Sequence, residues 1–137
     1  MTTLSNDACV LVMDAFEAEL SGDFTFTFSY RTSPPNDLKA GIPCAVFRNI
    51  AEVEQIRNVG GTNFRTKADI WVHLMSYSKA QVTEIKDAFK AAHRAIWKVP
   101  GSDMRHIIWK GVTNNDQEDA KPQIFERILK LEVMWDE

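Results

Sequence analysis

This chain holds little of what marks most catalytic and membrane proteins. Of its 137 residues only two are cysteines, Cys9 and Cys44. They are far apart and form no CxxC or other ligand spacing, which speaks against a zinc ribbon or a thioredoxin-like redox pair. Each sits in an apolar pattern, so two reduced core cysteines are expected rather than a disulfide. No apolar run approaches the roughly 20 residues of a membrane span. The first segment, MTTLSNDA, lacks a basic region, and the apolar run after it is broken by Asp14 and Glu17, so no signal peptide is expected. The expected compartment is a reducing cytoplasm. The six glycines include one adjacent pair, Gly60-Gly61, without the spacing of a phosphate-binding loop. No GxSxG elbow and no HExxH occur. The three histidines, His73, His93 and His106, have no ligand spacing, so no metal site is expected. Neither cysteine has neighbours that would lower its pKa, so thiol catalysis has no support. The balance of 16 Lys and Arg against 19 Asp and Glu gives a net charge of −3, which supplies no overall drive towards nucleic acid or an anionic membrane.

What is present is apolar patterning. Hydrophobic residues make up 45% of the chain, with eight Phe and four Trp, and the length suits one domain spanning 1–137. Ser5 or Asn6 can cap a helix running to about Leu20, with Cys9, Met13, Phe16 and Leu20 as its buried stripe. Gly22 can end it. Phe24 to Tyr30 alternates aromatics with small hydroxyl residues, the pattern of a strand with one apolar face. Pro34-Pro35 marks a loop. Cys44 to Ile50 follows as a strand, with Ala45, Phe47 and Asn49 on one face and Cys44, Val46 and Arg48 on the other.

Ala51 to Thr62 has two readings. The preferred one is an extended hairpin arm from about Val53 to Arg57 that turns at Gly60-Gly61 and returns through Phe64. The other is a short helix, because Val53, Ile56 and Val59 are three apart. Lys67 to Tyr77 is a strand that is apolar on both faces: Ala68, Ile70, Val72 and Leu74 on one, and Trp71, His73, Met75 and Tyr77 on the other. Ser78 and Gln81 form a capping box for a helix that stops at Pro100-Gly101. Val82, Ile85, Phe89, Ala92 and Ile96 form its apolar stripe. His93 falls on the flank of that helix, where exposure is expected. Strands follow at Met104–Val112 and Ile124–Trp135, separated by an acidic, Asn-rich loop. Asn114 to Asp119 lacks the glycine and distal glutamate of a calcium loop, so a solvated loop is expected. Trp97 and Trp109 could stack on single-stranded nucleic acid, but core packing explains them more simply.

The order of elements predicts an α+β fold: a mixed, mostly antiparallel sheet packed against two main helices, with an extended β-hairpin arm. One face of the Lys67–Tyr77 strand can take the second helix. The other needs a further cover, and a neighbouring copy of the chain is the natural candidate.

This layout resembles the tail terminator (tail completion, or neck) proteins of tailed bacteriophages. The resemblance rests on the helix Asn6–Leu20, the strand Pro43-Cys44-Ala45-Val46-Phe47 and the arm ending at Asn58-Val59-Gly60-Gly61. It continues through Ala68-Asp69-Ile70-Trp71-Val72-His73-Leu74 into the helix Lys79–Val99, and ends with Arg127-Ile128-Leu129-Lys130-Leu131-Glu132-Val133. It covers nearly the whole chain without a sharp motif. It implies a non-enzymatic virion protein, assembled in the host cytoplasm and located in the tail or neck. Such a subunit forms a homo-oligomeric, usually hexameric, ring on the head-proximal end of the tail tube, ends tube polymerisation and meets the head-tail connector or stopper protein. Genomic DNA passes through its lumen without specific binding, and neither cofactor nor membrane is involved. No catalytic residues come with the resemblance. The subunit contacts expected from the patterning are Trp71, His73, Met75 and Tyr77, together with Val53, Ile56 and Phe64 of the arm. Ring closure needs two different patches per subunit, because each contact is head-to-tail. Two other readings stay open: a different head-completion or connector protein, and a small α+β ligand-binding domain or enzyme with Phe24–Tyr30 as pocket wall and His73 as acid or base.

Overall fold

A computed structural model describes residues 5–20, 27–30, 43–56, 64–96, 104–119 and 121–136. Its elements are α1 (Ser5–Leu20), β1 (Thr27–Tyr30), β2 (Cys44–Ile56), β3 (Phe64–Ser76), α2 (Lys79–Ile96), β4 (Met104–Asn114) and β5 (Phe125–Asp136). The strands form one sheet in the order β1-β2-β3-β5-β4. β1 runs parallel to β2, and every other pairing is antiparallel. This is the expected α+β architecture with a mixed, mostly antiparallel sheet.

β2 and β3 settle the two readings of the segment after Ala51. Pairing continues from Cys44↔Met75 to Ile56↔Phe64, so 51–56 is strand and not helix, and the two strands form one long hairpin. Residues 57–63, with the Gly60-Gly61 turn, lie outside the described residues. So do Phe24–Phe26, and β1 is described only from Thr27. The register shifts between Asn49 and Ala51, which leaves Ile50 as the extra residue of a bulge, 37% exposed. A second such irregularity, between Trp109 and Gly111, falls where Gly111 has φ +149°. A side chain there would be strained even though the space beside it is open.

Both helices pack on one face of the sheet. α2 buries Val82, Ile85, Phe89 and Ala92, the predicted stripe, with Ile96 partly covered. α1 buries Cys9, Val12, Phe16 and Leu20, while Met13 only packs against the edge of the core. The predicted stripe named Met13 and missed Val12. The two are adjacent on the helix, and the shorter, β-branched residue is the one that fits between α1 and its neighbours. The rings of Phe16, Phe47 and Phe89 join α1, β2 and α2, with Phe16 and Phe89 stacked at 5.0 Å. Ala68, Ile70, Val72 and Leu74 of β3 and Leu129, Leu131 and Val133 of β5 complete this core. Their strict alternation is what a strand needs when one face is helix-covered.

Ser78 caps α2 by accepting a hydrogen bond from the Gln81 amide at 3.2 Å. The other half of the capping box is absent. The Gln81 side chain instead accepts from the buried Ser76 hydroxyl, which also receives the Ser78 amide at 3.1 Å. The strand-to-helix turn is therefore tied to the end of β3. Among the described residues no helix is long and apolar enough to cross a membrane.

Candidate functional site

The face of the sheet turned away from the helices carries Trp71, His73 and Met75 of the predicted contact residues. The β3 register sets Val46 and Arg48 of β2 against His73 and Trp71, and Glu126, Ile128 and Lys130 of β5 against Met75, His73 and Trp71. The face divides into a covered middle and two open ends.

The covered middle contains Met75 and His73. Met75 is 1% exposed and packs with Cys44, Val46 and Ile124. Ile124 precedes β5 and is bridged to Gln117, whose amide donates to the Ile124 carbonyl at 2.8 Å. The segment from Asn115 to Ile124 thus folds back over this end of the sheet. A neighbouring copy was the expected cover for Met75 and His73, and the chain supplies it from its own acidic segment. Nothing in the local pattern of that segment announces this, because the cover comes from one buried isoleucine among polar residues.

Polar side chains anchor the segment. Asn115 donates from Nδ2 to Glu126 Oε1 at 2.6 Å, and its amide donates to the Glu126 carbonyl at 3.0 Å. Asp116 Oδ1 accepts from Arg127 Nη1 at 2.6 Å and from the Glu126 amide at 3.3 Å. Arg127, 5% exposed, also donates to the Glu126 carbonyl at 2.8 Å. A buried guanidinium needs such partners to offset the loss of water. Asp116 is thereby committed, and among the described residues no group of three His, Cys, Asp or Glu is placed to hold a metal ion. The acidic loop was expected to be simply solvated. Its Asn115 and Asp116 instead belong to the structure.

His73 is 4% exposed and sits between two charges. Arg48 Nη1 lies 3.2 Å from His73 Nε2, and Glu126 Oε2 lies 3.4 Å from Nδ1. A guanidinium can only donate, so Nε2 accepts and the neutral ring carries its proton on Nδ1, facing Glu126. The Nδ1 contact is not aligned as a hydrogen bond, and Arg48 Nε also lacks a partner. A groove of about 310 Å³ between α1 and α2 is lined by Glu19, Leu20, Ala88, Ala91 and Ala92, and a hollow of about 620 Å³ lies beside Asp116–Asp119. Neither touches His73.

What stays open lies at the two ends of this row: Trp71 on the side of the arm and, one residue beyond the other end of the strand, Tyr77. Trp71 is half-buried, with Lys130 Nζ 5.1 Å from the ring centre. Tyr77 is 37% exposed. Lys110 and Glu132 form an exposed pair at 3.4 Å on the same face. Val53, Ile56 and Phe64 lie in the paired arm, at Val53↔Lys67 and Ile56↔Phe64, and their side chains are outside the described part. The structure therefore brings Trp71, His73 and Met75 together as predicted, and leaves Trp71 and Tyr77 at the surface. Arg48, Asn115, Ile124 and Glu126 were not singled out beforehand. The sequence signal for Arg48 and Glu126 was a polar residue on the strand face shared with Trp71 and Met75, and Asn115 and Ile124 gave none.

One further residue behaves differently from expectation. His93 is not a free flank residue. Its Nε2 donates to the Ile107 carbonyl at 2.7 Å and its ring tilts against Trp109 at 5.6 Å, which clips α2 to β4. Trp109 packs against the main core, the simpler of its two readings. Cys9 and Cys44 are both buried and outside any disulfide, as expected. Burial pushes the Cys9 thiol up from 9.0 to about 12.

Comparison with known proteins adds one finding about the fold. No family model matches the chain, and no curated protein does. Among solved structures, a chain of the "Virion of native gene transfer agent (GTA) particle" superposes with a TM-score of 0.58 at 11% identity, over 98% of this chain and 100% of that one. End to end, the fold of this protein is similar to that of a complete chain in a gene transfer agent virion.

Proposed function

We propose that this chain is a structural, non-enzymatic subunit of a phage-like particle. In this reading copies close into a ring, most simply a hexamer, that caps the head-proximal end of the tail tube, ends its growth and presents the surface for the connector or stopper protein. The observation that carries the reading is the likeness of fold to a virion chain, which spans 98% of this chain and 100% of that one. The layout of helices, long hairpin and closing strand supports the finer assignment to the terminator position. A ring needs two unlike patches per subunit. The β2–β3 arm with the adjoining Trp71, and the opposite end of β3 around Tyr77, are the two offered here. DNA would pass the lumen without binding, in keeping with the mild negative charge.

The test has two parts. Light scattering on the full chain, alone and with polymerising tail tubes, is expected to find a closed oligomer in at least the second case. Electron microscopy is expected to find tubes of limited length with the labelled chain at one end. Trp71→Glu and Tyr77→Glu should abolish ring formation without unfolding the chain. A chain that stays monomeric with tubes present and leaves their length unchanged would refute the terminator role.

A further inference from the structure

We propose that His73 is a proton-operated latch for Arg48. In its neutral state the ring holds the guanidinium against the sheet, and on taking a second proton it lets go.

The argument starts from what each group can do. Arg48 donates to His73 Nε2 at 3.2 Å, so the latch exists only while Nε2 keeps its lone pair. A proton on Nε2 would set two N–H donors of like charge face to face. The same proton gives the ring a full positive charge 3.4 Å from Glu126 Oε2, with both side chains 6% exposed. Attraction between close charges in a buried setting is strong. The ring therefore stays with Glu126 and the Arg48 contact breaks.

Three features decide which partner moves. Glu126 is held by Asn115 at its other oxygen and by two backbone bonds, so it is fixed. His73 lies in the middle of β3, between β2 and β5, and is buried. Arg48 is half-buried, and its Nε makes no hydrogen bond. It has a long side chain and water within reach, so it can leave without unfolding anything. The charged and titratable groups facing His73 are Arg48 from β2 and Glu126 from β5. Asp116, in the covering segment, is one step removed and already neutralised by Arg127. Lys130 lies over Trp71, the next outward position along β3. When the latch opens, a mobile cation appears beside Trp71 at the open, arm-side end of the face.

The test is nitrogen-detected NMR of the full chain between about pH 8 and about pH 5, where an imidazole changes charge. At the upper end the His73 ring is expected in the Nδ1–H form. On acidification the Arg48 Nε–H signal should shift and begin to exchange with water, with the same midpoint as the ring. An Nε2–H ring at the upper end would overturn the proposal. So would an Arg48 signal that does not change while the ring titrates, or a ring that takes no second proton before the chain unfolds. The titration of the unaltered chain decides these points.

Discussion

Replacing Ile124 with alanine asks whether the chain covers its own outer face. Ile124 is 4% exposed and closes the small cluster of Cys44, Val46 and Met75. The substitution removes three carbon atoms. At about 0.8 kcal/mol per buried carbon the lost transfer energy is about 2.4 kcal/mol. A residual cavity over Met75 adds to this, so about 3 kcal/mol is expected, within the range for such truncations. With a urea slope of about 2 kcal/mol per molar, the unfolding midpoint should fall by about 1.5 M. The control is Ile50→Ala at the exposed bulge, expected within about 0.5 kcal/mol of wild type. Urea titrations at widely different protein concentrations complete the assay. If the segment 115–124 is the cover, the loss is the same at every concentration. If a neighbouring copy were the cover, the midpoint would rise with concentration, because association stabilises by mass action. A loss no larger than that of Ile50→Ala, or one that vanishes on dilution, would refute a self-sealed face.

Three further outcomes are expected. Phe89→Ala should cost about 3–5 kcal/mol in thermal or urea unfolding, because the ring stacks on Phe16 and fills the junction of α1, α2 and β2. Ser78→Ala should cost about 1 kcal/mol by removing the cap on the Gln81 amide, and loss of helical circular dichroism on heating would report it. Cys9 should resist thiol reagents in the folded chain and react only on unfolding. Its pKa is raised in the folded state to about 12 from 9.0, so above pH 9.0 the unfolded thiol ionises while the folded one stays neutral. That part of the stability is complete below pH 9.0 and is lost as pH rises towards 12, a decline that Cys9→Ala should remove from the pH profile of unfolding.

The amino-acid sequence by itself determined the elements and which side of each faces the main core. Alternation in Ala68–Leu74 and Leu129–Val133, and the three-and-four spacing in Val82–Ala92, are local properties. They follow from where a side chain points in a strand or a helix. The helical stripe of α1 was legible to within one residue, since Val12 and Met13 differ by only one position around the helix. The hairpin arm was legible as one of two readings, and pairing with the return strand decided between them.

Only the tertiary structure decided what covers the second face of β3. That depends on register across β2, β3 and β5, which sets Glu126 opposite Met75 and diagonal to His73, and Arg48 opposite Trp71. It also depends on a loop folding back so that Ile124 lands on Met75. Such contacts join residues up to about 80 positions apart, and no period or spacing along the chain encodes them. A two-sided apolar strand announces that a cover is needed. Whether the chain's own loop or another molecule provides it is a question of where the chain goes next in space.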